Sequence, residues 1–591
     1  MKQQFFVPLA ALAASFTLSW PGAAQAQSLA YGDVGGPTAG NDSGADSGVD
    51  DAADDEGAVV DVGGFAKRTG RLRITPYIEA QQVVTAELSP GNEVLTYSTL
   101  AAGVEANLTG RNAEAGVAVR YERRFGWGSS RITDSDVVSG VARASVGIIP
   151  HTLFLEGGAT AARLSVENNG STTPGLEFGN SSAQVYGAYI GPAIKAQTGV
   201  LNVAGHYRFG YSRVTTPKAL PVAAGQTPID LYDEGTVHNA MLHLGTQAGT
   251  VLPVGVGLGA GWMREDVSNL DQRIDNRHVR GDVTLPVGPD LALVAGVGYE
   301  KVEVSQRDAV FDSVTGLPVI SGNGRYVTDQ TQPRQIAYES EGLIWDAGVL
   351  WRPSRRTALE AHVGKRYGST TYYGSFAYAP NAQTTLNVSV YDGISGFGGR
   401  LNQALAELPT QFEGLHNPLT GGLSTCVAGV PNANGNSANG NNRGGCLNGA
   451  LGSVRSAVFR GRGVMASLGL TGSRLQYGLG AGYDRRSFIA APGTVLALAN
   501  GVIDENYWVA AYLNGRIDRN SSFGTNLWAN WYQSGDALAG NSSAIGATAA
   551  YYRTLTGSLT ATAAVGVNGV NREALQDIWT ASGLLGLRYS F

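Results

Sequence analysis

Residues 579–591 read WTASGLLGLRYSF. In an extended strand Trp579, Ala581, Gly583, Leu585, Leu587, Tyr589 and Phe591 share one face, while Thr580, Ser582, Arg588 and Ser590 lie on the other, an alternation of period two. The apolar face mixes small and aromatic residues, unlike the Leu, Ile and Phe that a soluble sandwich packs between its sheets. One face suits lipid and the other suits water.

The same pattern recurs upstream. Leu72, Ile74, Ile78 and Ala80 oppose Arg73, Thr75, Tyr77, Glu79 and Gln81, and Leu100, Ala102, Val104, Ala106 and Leu108 oppose Thr99, Gly103, Glu105 and Asn107. Short turns such as TGRN (109–112), AQTG (196–199), RPSRRT (352–357), TGSR (471–474) and DRNS (518–521) alternate with longer polar connections at 167–180, 215–235, 305–337 and 393–455. Transmembrane barrels show this asymmetry, with short turns at one end and long loops at the other. The expected fold is therefore all-β, a transmembrane antiparallel up-and-down β-barrel of about 18–22 strands, with an even number if both termini share a side. The stretch 357–393 is the hardest to divide.

Composition agrees. The chain holds 82 Gly, 25 Tyr and 9 Trp among 591 residues, with only 15% charged. Lys2, the apolar run from Phe5 to Trp20 and the small-residue site Ala24-Gln25-Ala26 have the layout of a cleaved signal peptide spanning residues 1–26. Beyond it no stretch approaches the ~20 apolar residues of a membrane helix, so a membrane role falls to a closed barrel. Residues 27–66 are expected to be an acidic, disordered periplasmic tail, with the barrel over 67–591. Net charge is −6, yet nine acids and no base fall between residues 31 and 66; setting those and Lys2 aside leaves 41 bases and 39 acids. A nucleic-acid partner is not expected.

The closing GLRYSF resembles the C-terminal signal by which outer-membrane barrels are recognised for insertion, with Gly586, Tyr589 and Phe591 in its places. That resemblance implies the bacterial outer membrane as destination. It also implies the barrel-assembly machinery as a partner during insertion, and outer-membrane lipid and lipopolysaccharide around the finished wall.

Catalytic patterns are missing. The sequence contains neither Gly-x-Ser-x-Gly nor His-Glu-x-x-His, and His151, His206, His238, His243, His278, His362 and His416 are scattered, so no enzyme, cofactor or metal is expected. The run GVGLGAGW (255–262) looks like a dinucleotide loop only superficially, because it sits inside an alternating strand with no helix after it. Parity instead places Arg73, Glu79, Glu105, Arg120, Glu122, Arg143, Arg208, Arg280, Glu300, Glu360 and Arg366 on the lumen face, with His206, Asp346 and His362. Mixed charges there can line a water-filled pore or pair as structural rungs. Cys426 and Cys446 share one polar segment, and in a secreted chain such a pair points to a disulfide. In the connection 393–455, expected to be an extracellular or inserted loop, Leu401, Ala404, Leu405 and Leu408 have helical spacing. A short helix is expected there, either capping the barrel mouth or folding into it.

The stretch GLIWDAGVLWRPSRRTALEAHVGKRYGSTTYYGSFAYAP (342–380) with the downstream TLNVSVYDGIS resembles the porin-2-like family of outer-membrane β-barrels, most specifically over Trp351–Gly368. The resemblance implies a barrel without catalytic residues, some relatives being associated with exopolysaccharide and surface-protein export. Two functions stay open. One is a porin-like channel for passive diffusion of small hydrophilic solutes, favoured by the polar lumen and by the lack of a folded plug pattern ahead of the first strand. The other is a surface structural or polysaccharide-export barrel without general pore activity.

Overall fold

The computed structural model describes residues 71–127, 135–167, 169–173, 182–215, 230–354, 356–381, 383–419, 423–429, 445–573 and 575–591. The expected signal peptide and acidic tail lie outside the described residues.

One sheet of 23 strands makes the body, and its smallest member, Thr172–Thr173, is a two-residue addition beside Leu153–Val166. Each of the remaining 22 pairs antiparallel with two neighbours. The first, Arg71–Ser89, pairs with Val94–Thr109 on one side and with the last, Ile578–Ser590, on the other, so the sheet closes. Closure removes every free edge, the condition for a sheet in lipid. The registers Ile78↔Tyr589, Ala80↔Leu587 and Gln82↔Leu585 make the C-terminal strand the seam of the ring. Phe591 adds one more backbone bond there, its amide donating to Pro76 O at 3.0 Å.

The two faces follow the alternation. Ile74, Ile78, Leu100, Leu585, Leu587, Tyr589 and Phe591 are exposed on the outside, whereas Tyr77, Val83, Tyr97 and Leu584 are buried within. The stretch 357–393 divides into Thr357–Arg366, Ser369–Asn381 and Thr384–Ser395. The turns 110–112, 199–200 and 517–520 fall at one end of the barrel. The connections 167–181, 216–233, 307–334 and 396–458 all fall at the other.

We expect Phe591→Asp to prevent assembly, because it places a charge on the lipid face at the seam. Loss of the heat-modifiable folded band on gel electrophoresis of outer-membrane fractions checks this; normal amounts of folded variant would refute it.

Candidate functional site in the barrel lumen

A barrel of this many strands is too wide for its own side chains to fill. Here the connection between Ser395 and Phe459, paired neighbours in the wall, folds inward. It begins as helix α1, Phe397–Glu407. Phe397, Leu401, Ala404, Leu405 and Leu408 form its apolar stripe, at the spacing of one helix face. They are buried against Val185, Tyr189, Val214 and Tyr232. The wall is thinned to receive them. A Cβ on Gly187 would stand 2.8 Å from Leu401 Cδ2, and one on Gly210 would stand 2.7 Å from Asn402 Cγ.

A helix buried in a barrel must still satisfy its end groups. Gly396, the residue before α1, offers no side-chain cap. The wall supplies one instead: the carboxylate of Glu265 accepts from Gly396 N and Gly399 N, both at 2.8 Å. At the opposite end Arg143 donates from Nη2 to Ala406 O at 2.6 Å and from Nε to Leu408 O at 3.0 Å. An acid at the N-terminus and a base at the C-terminus both match the helix dipole. Hydrogen bonds to charged groups contribute roughly 1.5–3 kcal/mol each, so the four outweigh the few tenths to be had from helix propensity at any one residue.

Past α1 the chain reaches the short-turn end, where Thr410 Oγ1 donates to Glu114 at 2.8 Å and Gln411 Nε2 to Thr109 Oγ1 at 2.8 Å. Phe412–His416, Leu423–Gly429 and Gly445–Cys446 then form a small antiparallel sheet. Leu419 packs with Tyr97, Ala550, Ala564 and Leu584, on the wall opposite α1. The segment thus crosses the lumen in both length and width.

Its return limb lies at the long-loop mouth. Thr172 N donates to Gly452 O, Val454 N to Gly170 O, and Tyr232 N to Val454 O, at 2.9–3.1 Å. Arg486 donates to Gly449 O and Ser453 O, and Arg455 pairs with Asp504 at 2.9 Å. Asp230, in the loop above the wall, accepts from Ser456 Oγ at 2.7 Å and from Asn269 Nδ2 at 3.0 Å. Burial pushes its carboxyl up to about 6. From the loop 307–334, Arg325 reaches across to Val214 O and Tyr232 O, both at 2.9 Å.

Most of the charges assigned to the lumen by parity are brought together in groups. Arg120 bonds Glu79 and Glu122, and Arg588 bonds Glu105 at 2.9 Å. Arg280 grips Asp346 through two bonds of 2.7 and 2.8 Å, and His362 bridges Asp346 at 2.9 Å and Glu360 at 3.0 Å. Arg366 pairs with Glu300. Arg143 holds the helix, Arg208 stands 3.7 Å from Glu156, and Arg73 is exposed near the short-turn end. Pairing into rungs therefore describes this wall better than an open charged pore lining. Glu265, Arg400, Arg455, Arg486 and Asp504 were not singled out from the sequence. Parity alone could have placed Glu265 on the inner face of the strand that carries GVGLGAGW.

Neither a family model nor a curated protein matches the chain. Among solved structures it is similar to the FrpB iron transporter from Neisseria meningitidis, at 9% identity and a TM-score of 0.40, over 88% of this chain and 82% of that one. It is also similar to the ferric-catecholate import receptor Fiu from E. coli K12, at 10% and 0.42, over 87% and 81%. The siderophore receptor PiuA from Acinetobacter baumannii follows at 9% and 0.38, over 89% and 82%. At such values these likenesses add nothing to the fold, which the closed ladder of strands establishes: an outer-membrane-type β-barrel.

Proposed function

We propose that this protein is an outer-membrane transport barrel for small hydrophilic solutes whose lumen is occluded by its own segment 396–458. That segment must shift before a solute can pass. The observation that carries this reading is the clamp on α1, Glu265 at one end and Arg143 at the other. It takes the place of the freely open porin expected from the polar inner faces, because those faces are engaged by the segment and by one another. The exposed ion pair of Lys301 with Glu341, near the long-loop end, suits contact with lipopolysaccharide head groups.

The pairing of Cys426 and Cys446 also belongs to this reading. Their Cα atoms are directly opposed in the small lumenal sheet, a spacing within the reach of a disulfide. Such a bridge would tie the strand Leu423–Gly429 to Gly445–Cys446. Mass spectrometry of protein isolated without reductant should find the two bridged; two free thiols would count against it.

Replacing residues 396–458 by a short glycine linker tests the transport reading, since Ser395 and Phe459 are already paired. In planar bilayers the full chain should conduct little, and the shortened one should open channels of large, steady conductance while still migrating as a folded barrel. Equal conductance from both would refute occlusion. Silence from both would favour the structural or export-associated alternative.

A further inference from the structure

A cavity of about 160 Å³ lies between α1 and the wall. Five cationic or potentially cationic side chains line it: Arg208, Arg366, Arg400, His206 and His278. Asp392 is the acid among the described lining residues, and its carboxylate is held by Arg460 and Arg462. Arg366 is engaged by Glu300, and Glu156 lies 3.7 Å from Arg208. Arg400 differs from both. It is 5% exposed, its guanidinium lies 3.6 Å from the centre of the Tyr391 ring, and no carboxylate is salt-bridged to it among the described residues. Its Nε and Nη2 have no hydrogen-bond partner there, and neither does Arg208 Nε. Glu407 and Asp484 act on Arg400 only from a distance.

A buried cation short of hydrogen bonds is costly unless an anion joins it. We propose that this cavity binds a small organic carboxylate, with the carboxylate at Arg400 and Arg208 and the apolar body against Met241, Met263 and Tyr189. The size supports an organic ligand, since a cavity of about 150 Å³ with apolar walls accommodates a benzene ring. The guanidinium supports a carboxylate, because its donors match two oxygens in one plane. The site rests on the lumenal placement of α1, and its binding is independent of whether the barrel conducts.

The test is equilibrium dialysis of the full-length protein in detergent with radiolabelled benzoate, using unlabelled benzamide as the neutral competitor. Saturable binding in the millimolar range or tighter is expected, displaced by benzoate and not by benzamide. Arg400→Met should weaken it by at least about tenfold, the effect of losing a charge-assisted hydrogen bond. Asn276→Asp, which adds a negative charge to the same cavity wall, should weaken it comparably and serves if Arg400→Met fails to yield heat-modifiable protein. Absence of saturable binding by the wild type, displacement by benzamide as effective as by benzoate, or unchanged affinity in a folded variant would overturn the proposal.

Discussion

A helix cannot be buried inside a barrel unless the wall satisfies the ends of its backbone, and the rest of this lumen is arranged around that requirement. The first amides of α1 meet the carboxylate of Glu265, and its last carbonyls meet the guanidinium of Arg143. Both partners are wall residues on different strands, so the helix is fixed in position and direction at once. Left unmatched, either charge would be costly in this enclosed space, and so would the end groups. The clamp and the helix therefore stabilise each other, and neither has a sound reason to be there alone.

The wall bears the marks of its contents. Glycines such as Gly187 and Gly210 stand where the helix touches, because any side chain would collide with Leu401 or Asn402. Away from the helix, the inner face carries ion pairs instead of open charge, with Arg280, Asp346, His362 and Glu360 forming one continuous group. These bonds tie neighbouring strands together across the lumen face and leave few charges available to attract a passing ion. The long-loop mouth is bound in turn by backbone bonds from the return limb to the loops at 170–172 and 230–232. Opening a path through the lumen would require separating these contacts.

The architecture was legible because a barrel wall separates two solvents, and alternation records which residue meets which. Ile74 and Ile78 against Tyr77 and Glu79, and Leu585 and Leu587 against Leu584, state the faces directly, while turn chemistry separates the two ends. The helix of the long connection was legible too, since Leu401, Ala404, Leu405 and Leu408 repeat at helical spacing. Its place inside the lumen was one of two positions the sequence left open, and the residues that hold it there were not legible. Glu265 lies 131 residues from Gly396, and Arg143 lies 265 from Leu408. A capping acid supplied from across a barrel leaves no local pattern such as a residue just before the helix would leave. Arg400 was hidden for a related reason: on a lone helix it reads as a solvated charge, and only the wall around it makes it a buried one.

The clamp on α1 is tested most directly by hydrogen exchange of its backbone amides in the intact barrel. In the wild type, residues 397–407 should exchange as slowly as the wall strands, and far more slowly than the exposed loop around Val314. Glu265→Ala removes two bonds to a charged acceptor, roughly 3 kcal/mol or more, and should speed exchange in α1 by about a hundredfold while the strands stay protected. Exchange of wild-type α1 at the rate of the Val314 loop, or no change in the variant, would contradict a helix held in the lumen by its wall.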